Sequence, residues 1–241
     1  MIPLKDSIPN VHRPWTVYVL LGCNSLTFLF ELLLHPKARM HFIQLFGVIP
    51  ERYFGGQASW TGDPLLDAVP FLAYMFLHSG WMHFLLNMWV LWIFADNVED
   101  VMGHGRFAAF YVACGLLAVF GHMLLNTQSQ VPVIGASGAI AGVMGAYFLL
   151  YPHGRVLTLI PIFFFPYIVE LPAVLFLGLW FVLQFLSGMA QGAGGSGAGV
   201  AFWAHAVGFV AGMLLLPLFR RRERCYYCYN KDRKRYEREA S

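Results

Sequence analysis

The chain has 241 residues, 58% of them hydrophobic and only 12% charged, with a formal net charge of +3. Soluble domains carry about 25% charged residues, so this twofold deficit, with a mean hydropathy of +0.58, excludes an ordinary water-soluble domain and points to a single polytopic membrane domain. The basic surplus sits mostly in one tail, so it argues for no nucleic-acid partner.

Residues 1–14 hold Lys5, Asp6, His12, Arg13 and three prolines, and no small-residue cleavage site follows the first apolar run, so no signal peptide is expected. A bilayer core of about 30 Å takes roughly 20 apolar helical residues. Six segments qualify or nearly do: 15–34, 80–98, 107–125, 137–151, 171–186 and 200–219. The expected fold is an all-α membrane protein, a six-transmembrane-helix bundle over residues 15–219, between a short segment 1–14 and a basic tail 220–241. Residues 35–77 mix apolar runs with charges and prolines and read as an outer loop lying partly in the interface, with Tyr53 and Trp60 at headgroup depth.

Basic residues set the orientation. Arg220, Arg221, Arg222, Arg224, Lys231, Arg233, Lys234, Arg235 and Arg238 mark the tail as cytoplasmic, and six crossings return the amino terminus to the same side with Lys5 and Arg13. Arg106 and Arg155 then fall inside, and Lys37, Arg39 and Arg52 outside. The compact size and the lack of an Arg/Ser-rich leader favour a bacterial cytoplasmic membrane. Cys23 and Cys114 lie in apolar spans and read as packing residues. Cys225-x-x-Cys228 is half of a zinc site with no second half following it, so no metal or cofactor is expected, and the tail's arginines suit anionic lipid headgroups.

The fourth segment is short. Fifteen residues at about 1.5 Å each cover about 22 Å, less than the hydrocarbon core. With its far end pinned near Pro152 and Arg155, Ser137 lies below the outer surface, where irregular backbone must line a water-filled cavity or be buried in protein. Segments two, four and six all begin on the outer side, and their first turns carry His83 and Asn87 (on one face at i, i+4), Ser137 and His205. Polar groups at such depth are costly and mark function by default.

Their chemistry assigns roles. Ser137 needs a base to become a nucleophile, and His205 is the base type that works near neutral pH. No acidic residue matches their depth, so a dyad without a carboxylate is expected. Attack on a carbonyl creates an oxyanion, for which His83, Asn87 and the Ser137 backbone N–H are candidate donors. Gly138 with Gly142 and Gly208 with Gly212 let the fourth and sixth helices approach closely. Taken singly, each residue has a plainer reading: Ser137 as an N-cap, His205 in packing or proton relay, His83 and Asn87 in interhelical bonding, the glycines in packing. It is their shared depth that favours chemistry.

At these positions the chain resembles the rhomboid intramembrane serine proteases. The resemblance rests on Gly135-Ala136-Ser137-Gly138 with Gly142, on Ala204-His205 with Gly208 and Gly212, and on His83-x-x-x-Asn87 within the run from His78. Glu99, Gly103, Phe107, Tyr111, Gly115 and the stretch 46–50 add to it, over residues 15–216. It implies hydrolysis of peptide bonds in or near transmembrane segments of membrane proteins, with Ser137 as nucleophile, His205 as base, and His83 and Asn87 as oxyanion donors. Many members carry an aromatic residue four positions after the serine; here Ala141 stands there, so Trp203 or a residue of the second helix must orient His205. Pro161, Pro166 and Pro172 interrupt the fifth segment and a glycine-rich stretch 188–199 follows it, together a candidate lateral gate and cap. The expected activity is that of an intramembrane serine endopeptidase. The alternative is a non-catalytic membrane chaperone or adaptor that binds transmembrane helices.

Overall fold

The computed structural model describes residues 1–55, 61–162, 165–192, 201–221, 227–230 and 235–238. Strand β1 (Ile2–Asp6) precedes helix α1 (Trp15–Leu33). Short helices α2 (Pro36–Phe46), α3 (Pro50–Phe54), α4 (Pro64–Ala68) and α5 (Pro70–Ala73), then a 3-10 turn at Tyr74–Phe76, lead to α6 (Trp81–Met102), α7 (His104–Leu125) and α8 (Ser137–Leu150). Strands β2 (Arg155–Ile162) and β3 (Phe165–Pro172) come before α9 (Ala173–Gly192) and α10 (Phe202–Phe219), and strands β4 (Tyr227–Asn230) and β5 (Arg235–Arg238) close the described chain.

Among the described residues, α1, α7, α9 and α10 are long and apolar enough to span a membrane; α6 qualifies only together with the Pro64–Phe76 segment, from which it is bent by 79°. Four or five helices thus meet the length and composition of a crossing where six were expected. The shortfall is α8, which has 14 residues.

The all-α expectation is corrected by the strands. β2 pairs antiparallel with β3 from Arg155↔Pro172 to Ile162↔Phe165, and β1 adds to the other edge of β2 with Ile2↔Leu159 and Asp6↔Val156. Proline explains why no helix forms here. Ile160, Phe165 and Leu171 each precede a proline and are pushed toward extended backbone, and the segment is rich in β-branched residues.

α8 is the centre of the bundle. Every residue from Gly138 to Tyr147 is buried, as a helix apolar all round must be. The expected close approach of α8 and α10 is present at backbone level. A methyl group built on Gly208 would sit 2.2 Å from the Gly138 carbonyl oxygen, and one on Gly212 would sit 1.8 Å from that of Gly142. On the opposite side, Gly142 faces Cys114 of α7, where a methyl would lie 2.5 Å from the cysteine Cβ.

At the Gly103 end of α6, acidic side chains tie down the amino-terminal segment. Pro14 gives α1 no side-chain cap, and buried Glu99 takes over by accepting the Thr16 and Val17 amides, both at 2.9 Å. Asp100 accepts the Val11 and His12 amides at 2.6 and 3.0 Å. The tail, expected as a cytoplasmic segment whose arginines contact lipid headgroups, is partly folded back. The Tyr229 ring stacks on His153 at 4.3 Å, and the His153 amide donates to the Tyr236 hydroxyl. Trp60, residues 193–199, Arg222, Arg224, Cys225, Lys231, Arg233, Lys234 and the Cys228 side chain, all named above, lie outside the described residues.

Candidate active site

The loop before Ser137 is held from two sides. Gly135, at φ +115°, donates its amide to the Tyr74 carbonyl at 2.8 Å, and the Tyr74 hydroxyl donates to Gly115 of α7 at 2.7 Å. Glycine is required at 135 on two counts. L side chains rarely take that φ, and a methyl there would sit 2.6 Å from His83 Nε2. The loop therefore delivers Ser137 to the first turn of α8 with His83 and Asn87 beside it.

The Ser137 hydroxyl lies 2.7 Å from His205 Nε2. On the other side of the imidazole, Nδ1 meets the Gln184 side-chain oxygen at 2.8 Å. An amide oxygen only accepts, so this arrangement places the ring proton on Nδ1 and leaves Nε2 with a lone pair facing the serine, an assignment by hydrogen-bond network. Trp180, one turn before Gln184 on α9, lies over the ring at 6.0 Å between centroids. The expected support from Trp203 or the second helix is thus replaced by two side chains of α9. Trp203 packs edge-on against Phe185 instead.

His83 and Asn87 stand where the pattern put them. The Ser79 amide and hydroxyl face His83 Nδ1 at 3.4 and 3.1 Å. Nδ1 accepts from that amide, so the proton rides on Nε2, the atom beside Gly135. The Asn87 amide nitrogen is buried and has no hydrogen-bond partner among the described residues, leaving a donor to spare. Ser137, His205, His83 and Asn87 all line one cavity of about 470 Å³, whose lining is otherwise largely apolar and includes Leu86, Ile140, Phe176 and Trp180. A second cavity of about 700 Å³ lies behind Ser79 and His83 and is lined by Glu31 and Arg39.

Sequence reasoning missed Gln184, Tyr74 and the pair behind His83. Glu31 accepts the His78 amide at 3.2 Å, Arg39 donates to the His78 carbonyl at 3.0 Å, and the two charges lie 3.6 Å apart. This clamp fixes the backbone that enters α6. The sequence carried a signal for two of these residues: Glu31 is a charge in an apolar run, and Gln184 an amide at the middle of one.

Residues 66–222 match the family model described as Rhomboid domain. The chain belongs to the rhomboid family. It is 29% identical over 213 residues to Rhomboid protein 1, mitochondrial, of Saccharomyces cerevisiae, covering 85% of this chain and 53% of that protein. To the Presenilin-associated rhomboid-like protein, mitochondrial, of Homo sapiens it is 32% identical over 119 residues, 47% of this chain and 30% of that protein. To the rhomboid-family protein YdcA of Bacillus subtilis it is 35% identical over 74 residues, 31% of this chain and 37% of that protein. The rhomboid chain thus spans about half the length of the yeast relative and shares less with the other two. Its apolar helices make it a multi-pass membrane protein of this family. Two of these relatives are named as mitochondrial and one is bacterial, so similarity does not favour the bacterial membrane expected from size.

Proposed function

We propose that this rhomboid-family chain is an intramembrane serine endopeptidase that hydrolyses peptide bonds in or near transmembrane segments of membrane proteins. The observation that carries this reading is the 2.7 Å contact between Ser137 Oγ and His205 Nε2, with the proton of the imidazole tied to Gln184 on the far side. His205 takes the serine proton as Oγ attacks the scissile carbonyl, then gives it to the departing amine. The oxyanion is met by the Asn87 amide, His83 Nε2–H and the Ser137 backbone N–H. The second cavity, which also touches Ser79 and His83 and carries the Glu31 and Arg39 side chains, is the route this reading assigns to the water for deacylation. In this reading six helices form the core, the short α8 being the fourth crossing, and the Gly103 end of α6 and both termini face the cytoplasm. The substrates are transmembrane proteins presented by the surrounding bilayer.

The test is cleavage of a fluorogenic transmembrane substrate by purified protein in liposomes. Ser137→Ala and His205→Ala are each expected to lower kcat by about 10⁴-fold or more, and Asn87→Ala by about 10²-fold. Cleavage retained in either dyad variant rejects the mechanism. An unlabelled Ser137 after treatment with a fluorophosphonate turns the reading to the non-catalytic adaptor.

A further inference from the structure

The three-stranded sheet has no part in the chemistry above, yet it reaches the catalytic cavity. β1 lies along α6, where the Trp89 indole N–H donates to the Pro3 carbonyl at 2.6 Å, while β2 and β3 contact α9. The sheet therefore bridges α6 and α9. Met1, Ile2 and Pro3 line the same cavity as Ser137 and His205. Trp89 is eight residues along α6 from Trp81, about 12 Å at 1.5 Å per residue, so this contact lies about two turns down α6 and not at its first turn.

The two ends of β1 are held very differently. Its base is fastened by Asp6 to Tyr147 at 2.7 Å, by Ser7 to the Arg155 amide at 2.9 Å, and by Ile8 to Asn97 at 3.0 Å. Above Asp6 the ladder to β2 is broken by a register shift between Pro3 and Lys5, Met1 and Ile2 are exposed, and the Trp89 bond to the Pro3 carbonyl is the side-chain hydrogen bond that holds this half among the described residues. The upper half is the easier one to release. Release would leave the edge amides and carbonyls of β2 unpaired at a depth poor in water, where each costs free energy. An incoming segment cancels that cost only if it is extended and pairs with β2. Polarity agrees with such an occupant. β1 runs from the cavity at Met1 toward Asp6, antiparallel to β2, the direction taken by residues that follow a carbonyl held at Ser137.

We propose that β1 is a displaceable strap across the α6–α9 opening, and that the substrate stretch following the scissile bond binds in its place as an extended strand on β2. The proposal rests on the protease reading and is tested so that the two can fail separately. Ile2→Cys with Leu159→Cys, a paired position at the releasable end, places two thiols within disulfide reach in a chain that also carries Cys23→Ser, Cys225→Ser and Cys228→Ser. With the bond formed, cleavage of the transmembrane substrate is expected to fall at least about tenfold and to return with dithiothreitol, because the competent population is removed. Ser137 should react with a fluorophosphonate in both states. Equal cleavage in the oxidised and reduced states overturns the strap. The same pair in a Ser137→Ala background, read as substrate binding by fluorescence anisotropy, removes chemistry from the test. Equal affinity in both redox states again overturns the strap, whereas weaker binding when oxidised, found beside an unreactive wild-type Ser137, sustains the strap and overturns the protease reading.

Discussion

Gln184 holds the imidazole of His205 from behind, and its loss should separate catalysis from binding. Gln184→Ala removes the acceptor that fixes the Nδ1 proton while leaving the cavity wall apolar. The expected outcome is a fall in kcat of about 10- to 100-fold with KM little changed, on the scale of losing the outer partner that orients a functional histidine. Gln184→Glu keeps an acceptor oxygen at the same reach and should retain most of the activity; steady-state kinetics on the transmembrane substrate decide both. Ser137, His205, His83 and Asn87 were legible because each is a polar group set at one depth in apolar helices. Gln184 sits in an equally apolar helix but passed unnoticed, since a neutral amide finds partners more easily than a charge and carries no spacing pattern. Tyr74 had no signal at all, because its work is done by its backbone carbonyl as much as by its ring.

Helix contacts divide into those written in glycine and those that are not. The pairing of α8 with α10 could be read from Gly138, Gly142, Gly208 and Gly212. Gly212→Ala, with its methyl 1.8 Å from the Gly142 carbonyl, is expected to cost about 1–3 kcal/mol or more by forcing two backbones apart, measured as lowered resistance to unfolding in mixed micelles, with activity falling alongside. The β1–β2–β3 sheet was not legible, because a continuous apolar run with prolines was counted by composition rather than by the extended bias those prolines impose. Within that sheet Asp6 is the sensitive point. Burial and the nearby Asp96 push its carboxyl up to about 7, against the opposing hydrogen bond from Tyr147. A carboxyl whose value is raised in the folded state holds best when protonated, so docking of β1 is strongest in acid and weakens as pH climbs through about 7. A spin label at position 5 should gain mobility over that interval, and Asp6→Asn should flatten the response; equal mobility at pH 5 and pH 8 in the parent protein would reject this role for Asp6.

The whole molecule is arranged around a helix too short to cross the bilayer unaided. The 14 residues of α8 cover about 21 Å, and the segment bent 79° away from α6 meets the loop before α8 through the Tyr74 carbonyl. The shortness of α8 was plain in the sequence. The bent segment was not, because its charges and prolines made it read as an irregular outer loop rather than as a set of short helices that end at Phe76. Gln184 matters at this scale too, for it rides on α9, one of the two helices that the sheet bridges. Any outward swing of α9 carries the amide away from the imidazole, and the alcohol loses its activated partner while the flank stands ajar. In the protease reading proposed above, the Ser137 hydroxyl is then armed only once that flank has closed again.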